Sequence, residues 1–124
     1  MLIKTFKQLS YKDVGAAGGK GASLGEMSHT GLPVPPGFVV LAAAFDRFLE
    51  ETDLDVDVAA ILKKVNYKDI NSVDKASNVI RDLIHDRAMP SDIKKEILIE
   101  FKKLKVKFVA VRSSATAEDS SVAS

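Results

Sequence analysis

The sequence has no cysteine and no tryptophan among its 124 residues, and its net charge is only +1. The missing cysteines exclude disulfide bonds, thiolate metal sites and cysteine nucleophiles. The balanced charge offers no basic surface for non-specific binding of nucleic acid. We therefore expect no nucleic-acid partner, and the lack of cysteine fits a cytoplasmic protein.

Long apolar runs are missing as well. No segment approaches the ~20 apolar residues that a transmembrane helix needs. The opening residues, MLIKTFKQLSYKD, lack the apolar region and the cleavage site of a secretory signal. We expect no membrane partner.

Glycine is absent from residues 41–111, whereas all seven glycines lie between Gly15 and Gly37. The glycine-containing block is predicted to form tight turns and close backbone approaches. The glycine-free block is predicted to form regular elements. Its acidic and basic residues are balanced, which favours solvated helix faces over catalytic sites.

The hydrophobic pattern predicts an α+β fold with helices around a small sheet. The predicted helices cover residues 21–29, 42–51 and 56–65, a segment capped by Asn71, and a segment capped by Ser91. Gly25 inside the first helix is expected to make a close packing contact, because glycine there costs ~1 kcal/mol relative to alanine. The runs Phe38–Leu41 and Lys107–Arg112 are predicted to be strands that pair with each other.

The stretch GAAGGKGASLGEM, residues 15–27, places five glycines around one lysine. A P-loop requires G-x-x-x-x-G-K-[ST], but only three residues separate Gly15 from Gly19, and Gly21 replaces the hydroxyl residue. The dinucleotide motif G-x-G-x-x-G fails too, because Leu24 stands where its third glycine belongs.

The chemistry of the stretch still favours an anion. Glycines expose backbone N–H groups, and they lead into a helix N-terminus that carries about half a positive charge. Lys20 adds a full charge, so phosphate binding is one interpretation. A glycine-rich helix entry with an exposed lysine is the other, and this stretch alone leaves both open.

The second motif is VAVRSSATAEDSS, residues 109–121. Arg112 follows a predicted strand, and an arginine held in this way can grip phosphate through its bidentate fork. The hydroxyl groups after it can donate to further oxygens. The alternative is a structural ion pair of Arg112 with Glu118 or Asp119.

Three blocks, GGKGASLGEM, PVPPGF and VAVRSSATAED, jointly resemble the N-terminal nucleotide-binding domain of the phosphoenolpyruvate synthase (pyruvate, water dikinase) family. The resemblance runs from about Tyr11 to Ser124. It implies the N-terminal part of an ATP-grasp-type domain that occupies residues 1–124 and is truncated at its C-terminal end. Pyruvate phosphate dikinase and rifampicin phosphotransferase are related alternatives, and VRSSATAED favours the synthase and rifampicin branch.

The resemblance also implies site residues. Lys20 and Arg112 would contact the phosphates of ATP. The pocket would be shaped by Gly18, Gly19, Ser113, Ser114 and Thr116. If Lys20 and Arg112 share one triphosphate, we expect their charged tips within roughly 10–12 Å of each other, about a Debye length.

The family reaction converts pyruvate, ATP and water into phosphoenolpyruvate, AMP and phosphate through a phosphohistidine. The expected partners are ATP, the rest of the ATP-grasp domain, a phosphohistidine domain and a pyruvate-binding domain. The ligands for Mg²⁺ are expected outside this chain. The chain is expected to hold at most one half of the ATP-grasp clamp and no phosphohistidine, so in isolation it is predicted to be inactive. A stand-alone, non-catalytic nucleotide-binding or regulatory module is the alternative of another class.

Neither histidine is expected to be the phosphohistidine. His29 lies in the last turn of a predicted helix before Gly31, where an imidazole suits the helix dipole. His85 lies among charged residues of a predicted helix.

Overall fold

The computed structural model describes residues 1–116 of the chain. Within them, two strands and five α-helices confirm the α+β class. The elements in chain order are β1 Ile3–Thr5, two 3-10 turns at Phe6–Gln8 and Tyr11–Asp13, α1 Val14–Ser28, β2 Phe38–Val40, α2 Ala42–Glu51, α3 Leu54–Lys63, α4 Ile70–His85 and α5 Ser91–Leu104.

The chain forms two compact units. One unit joins Met1–Phe45 to the chain from Ser91 onward, and the other consists of Asp46–Pro90. The glycine-rich stretch of residues 15–27 and the described part of the second motif, residues 109–116, lie in the first unit. The second unit contains α3 and α4, and Leu54 at the start of α3 is fully buried.

The core of the first unit lies between α1 and the sheet. Leu9, Ala17 and Leu41 form its buried cluster, and Val39 packs against it. β1 and β2 pair antiparallel, with Lys4 opposite Val39. The small side chain of Ala17 lets the helix backbone approach this cluster closely, so the core positions the glycine-rich part of α1.

The predicted pairing of residues 107–112 with β2 is wrong. β2 pairs with β1 instead, and residues 107–112 lie outside helices and strands. The side chains of Phe108 and Val111 are 89% and 92% exposed. A β-branched run becomes a strand only where a neighbouring strand accepts its hydrogen bonds, and within residues 1–116 the short β1 takes that place beside β2.

Helix α1 starts earlier than the sequence predicts. It begins at Val14 rather than Gly21, and it is broken at Gly18, whose φ of 81° and ψ of 166° are not helical. Glycine adopts this backbone conformation without the clash that a Cβ would cause. The break leaves residues 19–28 as a helical segment of their own, with Lys20 in its first turn.

The predicted helix caps need correction. Asp69, not Asn71, caps α4, because the Asp69 carboxylate accepts a hydrogen bond from the Asn71 backbone N–H at 3.0 Å. Ser91, predicted to cap α5, is the first residue of that helix instead, and Lys102 and Lys103 lie in its last turn. Among the helices of residues 1–116, none is long and apolar enough to span a membrane.

The close packing expected at Gly25 is confirmed. A Cβ at this position would lie 2.5 Å from Leu9 Cβ and 2.7 Å from the Leu9 backbone. Because Leu9 is only 1% exposed and belongs to the core cluster, it has little room to move. Gly25 thus lets α1 approach the turn that holds Leu9.

We expect Gly25→Ala to lower the free energy of unfolding by about 1–3 kcal/mol, because the strain of overpacking exceeds the better helix propensity of alanine. Gly15→Ala is the matched control, since nothing lies within 4 Å of its added Cβ. It should be neutral or stabilise by up to ~1 kcal/mol. Urea unfolding followed by circular dichroism measures both, and equal effects would contradict the packing argument.

Candidate functional site

The glycine-rich stretch of α1 is buried rather than open. Its small residues at 17, 18, 19, 21, 22 and 25 are all buried. Their shared property is the room they leave for a neighbouring backbone. The stretch therefore serves close packing, which the glycine spacing alone did not reveal.

The neighbour that uses this room is the segment of residues 112–116. The Ser114 Oγ accepts a hydrogen bond from the Gly21 N–H at 2.8 Å and donates one to the Ala17 carbonyl at 2.6 Å. These partners lie 93 and 97 residues away in sequence. One hydroxyl group thus bridges the break in α1 at Gly18.

In this position Ser114 acts as a helix cap. Residues at the start of a helix have backbone N–H groups without helical partners, and a serine hydroxyl usually satisfies the third of them from the residue just before the helix. Here Gly18 precedes the segment and carries no side chain. Ser114 supplies the capping oxygen from a distant part of the chain, and it caps Gly21, the third residue of the segment.

A backbone hydrogen bond reinforces the contact made by the Ser114 hydroxyl. The Gly19 N–H donates to the Ala115 carbonyl at 3.2 Å. With Gly21, two amides in the first turn of the segment are therefore bonded to residues 114 and 115. The sequence had predicted that such amides would be available to an anion.

Gly18 is needed for this approach. A Cβ at Gly18 would lie 2.0 Å from the Ser114 carbonyl oxygen and 2.6 Å from its Oγ. If the Ser114 backbone retreated, its Oγ would lose the hydrogen bonds to the Gly21 N–H and the Ala17 carbonyl. The close approach and the positive φ of Gly18 both demand glycine.

Lys20 joins the same contact. Its Nζ donates to the Ser113 carbonyl at 3.1 Å. Lys20 is partly exposed, and Arg112, the residue next to Ser113, is exposed. The structure therefore brings together the two segments that carry the predicted cations, from residues 93 positions apart.

Arg112 and Thr116 are both exposed at the ends of the segment. Arg112 makes no hydrogen bond or ion pair with the residues that the structure describes. The alternative interpretation, a pair of Arg112 with Glu118 or Asp119, falls outside the described residues.

His29 has a structural contact. Its Nε2 lies 3.0 Å from the Leu9 carbonyl, within hydrogen-bond distance. This contact ties the end of α1 to the turn that also packs against Gly25. His85 is the last residue of α4, which belongs to the second unit.

Two further features of residues 1–116 concern metal ions and grooves. Within these residues, no three His, Asp or Glu side chains cluster in a way that could hold a metal ion. A groove of about 430 Å³ in the first unit is lined by Phe6, Pro36, Phe38 and other residues, but by neither Lys20 nor Arg112.

Comparison with known proteins shows a match to a protein family. The profile described as "Pyruvate phosphate dikinase, AMP/ATP-binding domain" matches residues 14–124. The matched range contains both the glycine-rich stretch and the segment of residues 112–116. It begins at Val14, where α1 begins.

Individual relatives carry more specific names. A "Probable phosphoenolpyruvate synthase" of Methanothermobacter thermautotrophicus is 42% identical over 94% of this chain. A protein of the same name from Methanocaldococcus jannaschii is 48% identical over 94% of it. The "Phosphoenolpyruvate synthase" of Aquifex aeolicus is 37% identical over 95% of it. The matches cover only 18%, 10% and 15% of these relatives.

The capping role of Ser114 has a measurable consequence. We expect Ser114→Ala to lower the free energy of unfolding by about 1–3 kcal/mol, because it leaves the buried Gly21 N–H and the Ala17 carbonyl without partners. Ser23→Ala is the matched control, an exposed serine on the same helix. It should cost nothing, since alanine is the better helix former. Equal urea midpoints for the two variants would refute the capping role.

Proposed function

Because the chain belongs to the family described as pyruvate phosphate dikinase, AMP/ATP-binding domain, we propose that it is the ATP-binding part of a phosphoenolpyruvate synthase. The relatives reported above carry that name. This favours the synthase over the rifampicin phosphotransferase and over a non-catalytic module. In this proposal Lys20 and Arg112 contact the phosphates of ATP, with Ser113 and Thr116 beside them.

One observation of the structure carries the residue assignment. The Lys20 Nζ lies 3.1 Å from the carbonyl of Ser113, the neighbour of Arg112. The hydrogen bond brings the backbone next to Arg112 into contact with Lys20, although the two segments are distant in sequence. A triphosphate is a chain of anionic groups that needs several cations at once.

The proposed reaction converts pyruvate, ATP and water into phosphoenolpyruvate, AMP and phosphate. The contribution of this chain is to bind and orient the triphosphate. The fixed charges of Lys20 and Arg112 would stabilise the negative charge that shifts between oxygens as a phosphoryl group leaves. Arginine contributes a planar fork of donors, and lysine contributes a compact charge.

The rest of the machinery belongs to the same proposal. It comprises an ATP-grasp type of domain begun by residues 1–124, the remainder of that domain, a phosphohistidine domain and a pyruvate-binding domain. We propose that the ligands of Mg²⁺ lie outside this chain and that the protein is cytoplasmic. The short share of the relatives' lengths that this chain matches supports this division of labour.

We expect the 124-residue chain to bind ATP weakly, with a dissociation constant on the order of 1 mM, because two exposed cations gain little without a desolvated clamp. Lys20→Ala and Arg112→Ala should each weaken binding about fivefold. Raising the salt concentration should weaken it further. Titration with ATP in magnesium buffer, followed by amide chemical shifts, measures such affinities.

Matched controls exist for both substitutions. Lys94 and Arg81 are exposed cations on α5 and α4, outside α1 and the segment of residues 112–116. Lys94→Ala and Arg81→Ala should leave the affinity for ATP unchanged. Tight binding that salt does not affect, or equal losses in the control variants, would contradict the assignment of Lys20 and Arg112.

A chimera tests the reaction itself. The 124 residues would replace the segment of the Aquifex aeolicus enzyme to which they align at 37% identity. We expect the chimera to form phosphoenolpyruvate from pyruvate and ATP, whereas the 124-residue chain alone shows no pyruvate-dependent turnover. Arg112→Ala in the chimera should lower kcat/KM for ATP about tenfold or more.

Lys94→Ala in the chimera is the control and should retain full activity. A folded chimera whose activity ignores Arg112→Ala would overturn the site. Turnover of ATP with pyruvate by the 124-residue chain alone would overturn the division of labour between this chain and other domains.

A further inference from the structure

The hydroxyl of Ser114 already donates its single proton to a hydrogen bond within the protein. A serine hydroxyl has one donor hydrogen and two acceptor lone pairs. The Gly21 N–H can only donate, so Ser114 Oγ must accept there at 2.8 Å. The Ala17 carbonyl can only accept, so the single proton of Ser114 points to it at 2.6 Å.

This assignment matters for phosphate binding. A phosphate oxygen needs a donor, and the only proton of Ser114 is already used inside the protein. The Gly19 and Gly21 amides are also used, by Ala115 and by Ser114 itself. A phosphate could take these donors only by displacing the segment of residues 113–115 from the start of the helix.

Displacement would also disturb the two cations. Lys20 is bonded to the Ser113 carbonyl, and Arg112 precedes Ser113 directly. Moving the segment away from α1 would therefore separate the backbone that bears Arg112 from Lys20, and the proposed function needs both cations at one ligand. The contacts of Ser114 with α1 keep both in place.

We propose that Ser114 is a positioning residue, which locks the segment bearing Arg112 onto the helix start bearing Lys20 and does not itself contact phosphate. The inference rests on the proposed function, in which these two cations bind ATP. Gly18 makes this arrangement possible, because any residue with a Cβ would clash with the Ser114 backbone at this distance. The phosphates are left to the side chains of the cations and the neighbouring hydroxyl groups.

The first test needs no substitution. Gly19 and Gly21 amide resonances of the 124-residue chain are followed by NMR during titration with ATP and, separately, with inorganic triphosphate, which has no base. We expect both amides to keep their slow hydrogen exchange and to shift little, while the side-chain N–H signal of Arg112 shifts. Large triphosphate-induced shifts at the Gly19 and Gly21 amides would overturn the proposal.

The second test is a double-mutant cycle on ATP affinity with Ser114→Ala and Arg112→Ala. If Ser114 acts through Arg112, each single variant binds about fivefold more weakly. The double variant is then no weaker than Arg112→Ala alone. Ser114→Thr keeps the hydroxyl and should retain most of the affinity, and Ser23→Ala should change nothing.

The outcomes separate this inference from the proposed function. If the loss of ATP affinity in the double variant equals the product of the two single losses, Ser114 acts independently of Arg112. That result would overturn the positioning role alone. Affinity that responds to neither Lys20→Ala nor Arg112→Ala would overturn the proposed function, and the positioning role with it. Circular dichroism checks that each variant is folded. If Ser114→Ala does not fold, the NMR titration of the unsubstituted chain tests the positioning role by itself.

Discussion

The hydroxyl of Ser114 is the contact on which the candidate site depends. Gly21 and Ser114 are 93 positions apart, and closing a flexible loop of that length costs about 4 kcal/mol of chain entropy. The hydrogen bonds of Ser114, Ala115 and Lys20 contribute about 1 kcal/mol each. They barely offset that cost. The ordered elements between the two segments must therefore bring them close, and the hydrogen bonds then fix their register.

The glycines of α1 serve this register. A lysine among glycines is typical of a phosphate loop, in which backbone N–H groups face the ligand. In this chain Gly18 and Gly25 instead make room for the Ser114 and Leu9 backbones, and the amides of Gly19 and Gly21 bond within the protein. Glycine thus sets the distance between two pieces of backbone, and the proposed function leaves the recognition of phosphate to side chains.

Sequence patterns predicted the features that depend on neighbouring residues along the chain. The α+β class, the start of α5 at Ser91 and the packing at Gly25 followed from periodicity, capping and glycine cost. The partner of β2 did not, because β-propensity favours an extended segment without naming its neighbour. The three residues of β1 are too few to show a pattern. The role of Ser114 was equally hidden, since it depends on atoms 93 and 97 residues away.

In the proposed function the site is built before its ligand arrives, which has an advantage and a cost. Because the hydrogen bonds of Ser114 use only protein atoms, they hold the segment bearing Arg112 beside Lys20 without ATP, and less ordering remains for binding. The cost is that one hydroxyl and two helix amides are committed and cannot donate to phosphate. Exposed cations in water bind weakly by themselves. The site thus sets geometry, and strong binding requires groups that exclude water from the other side of the triphosphate.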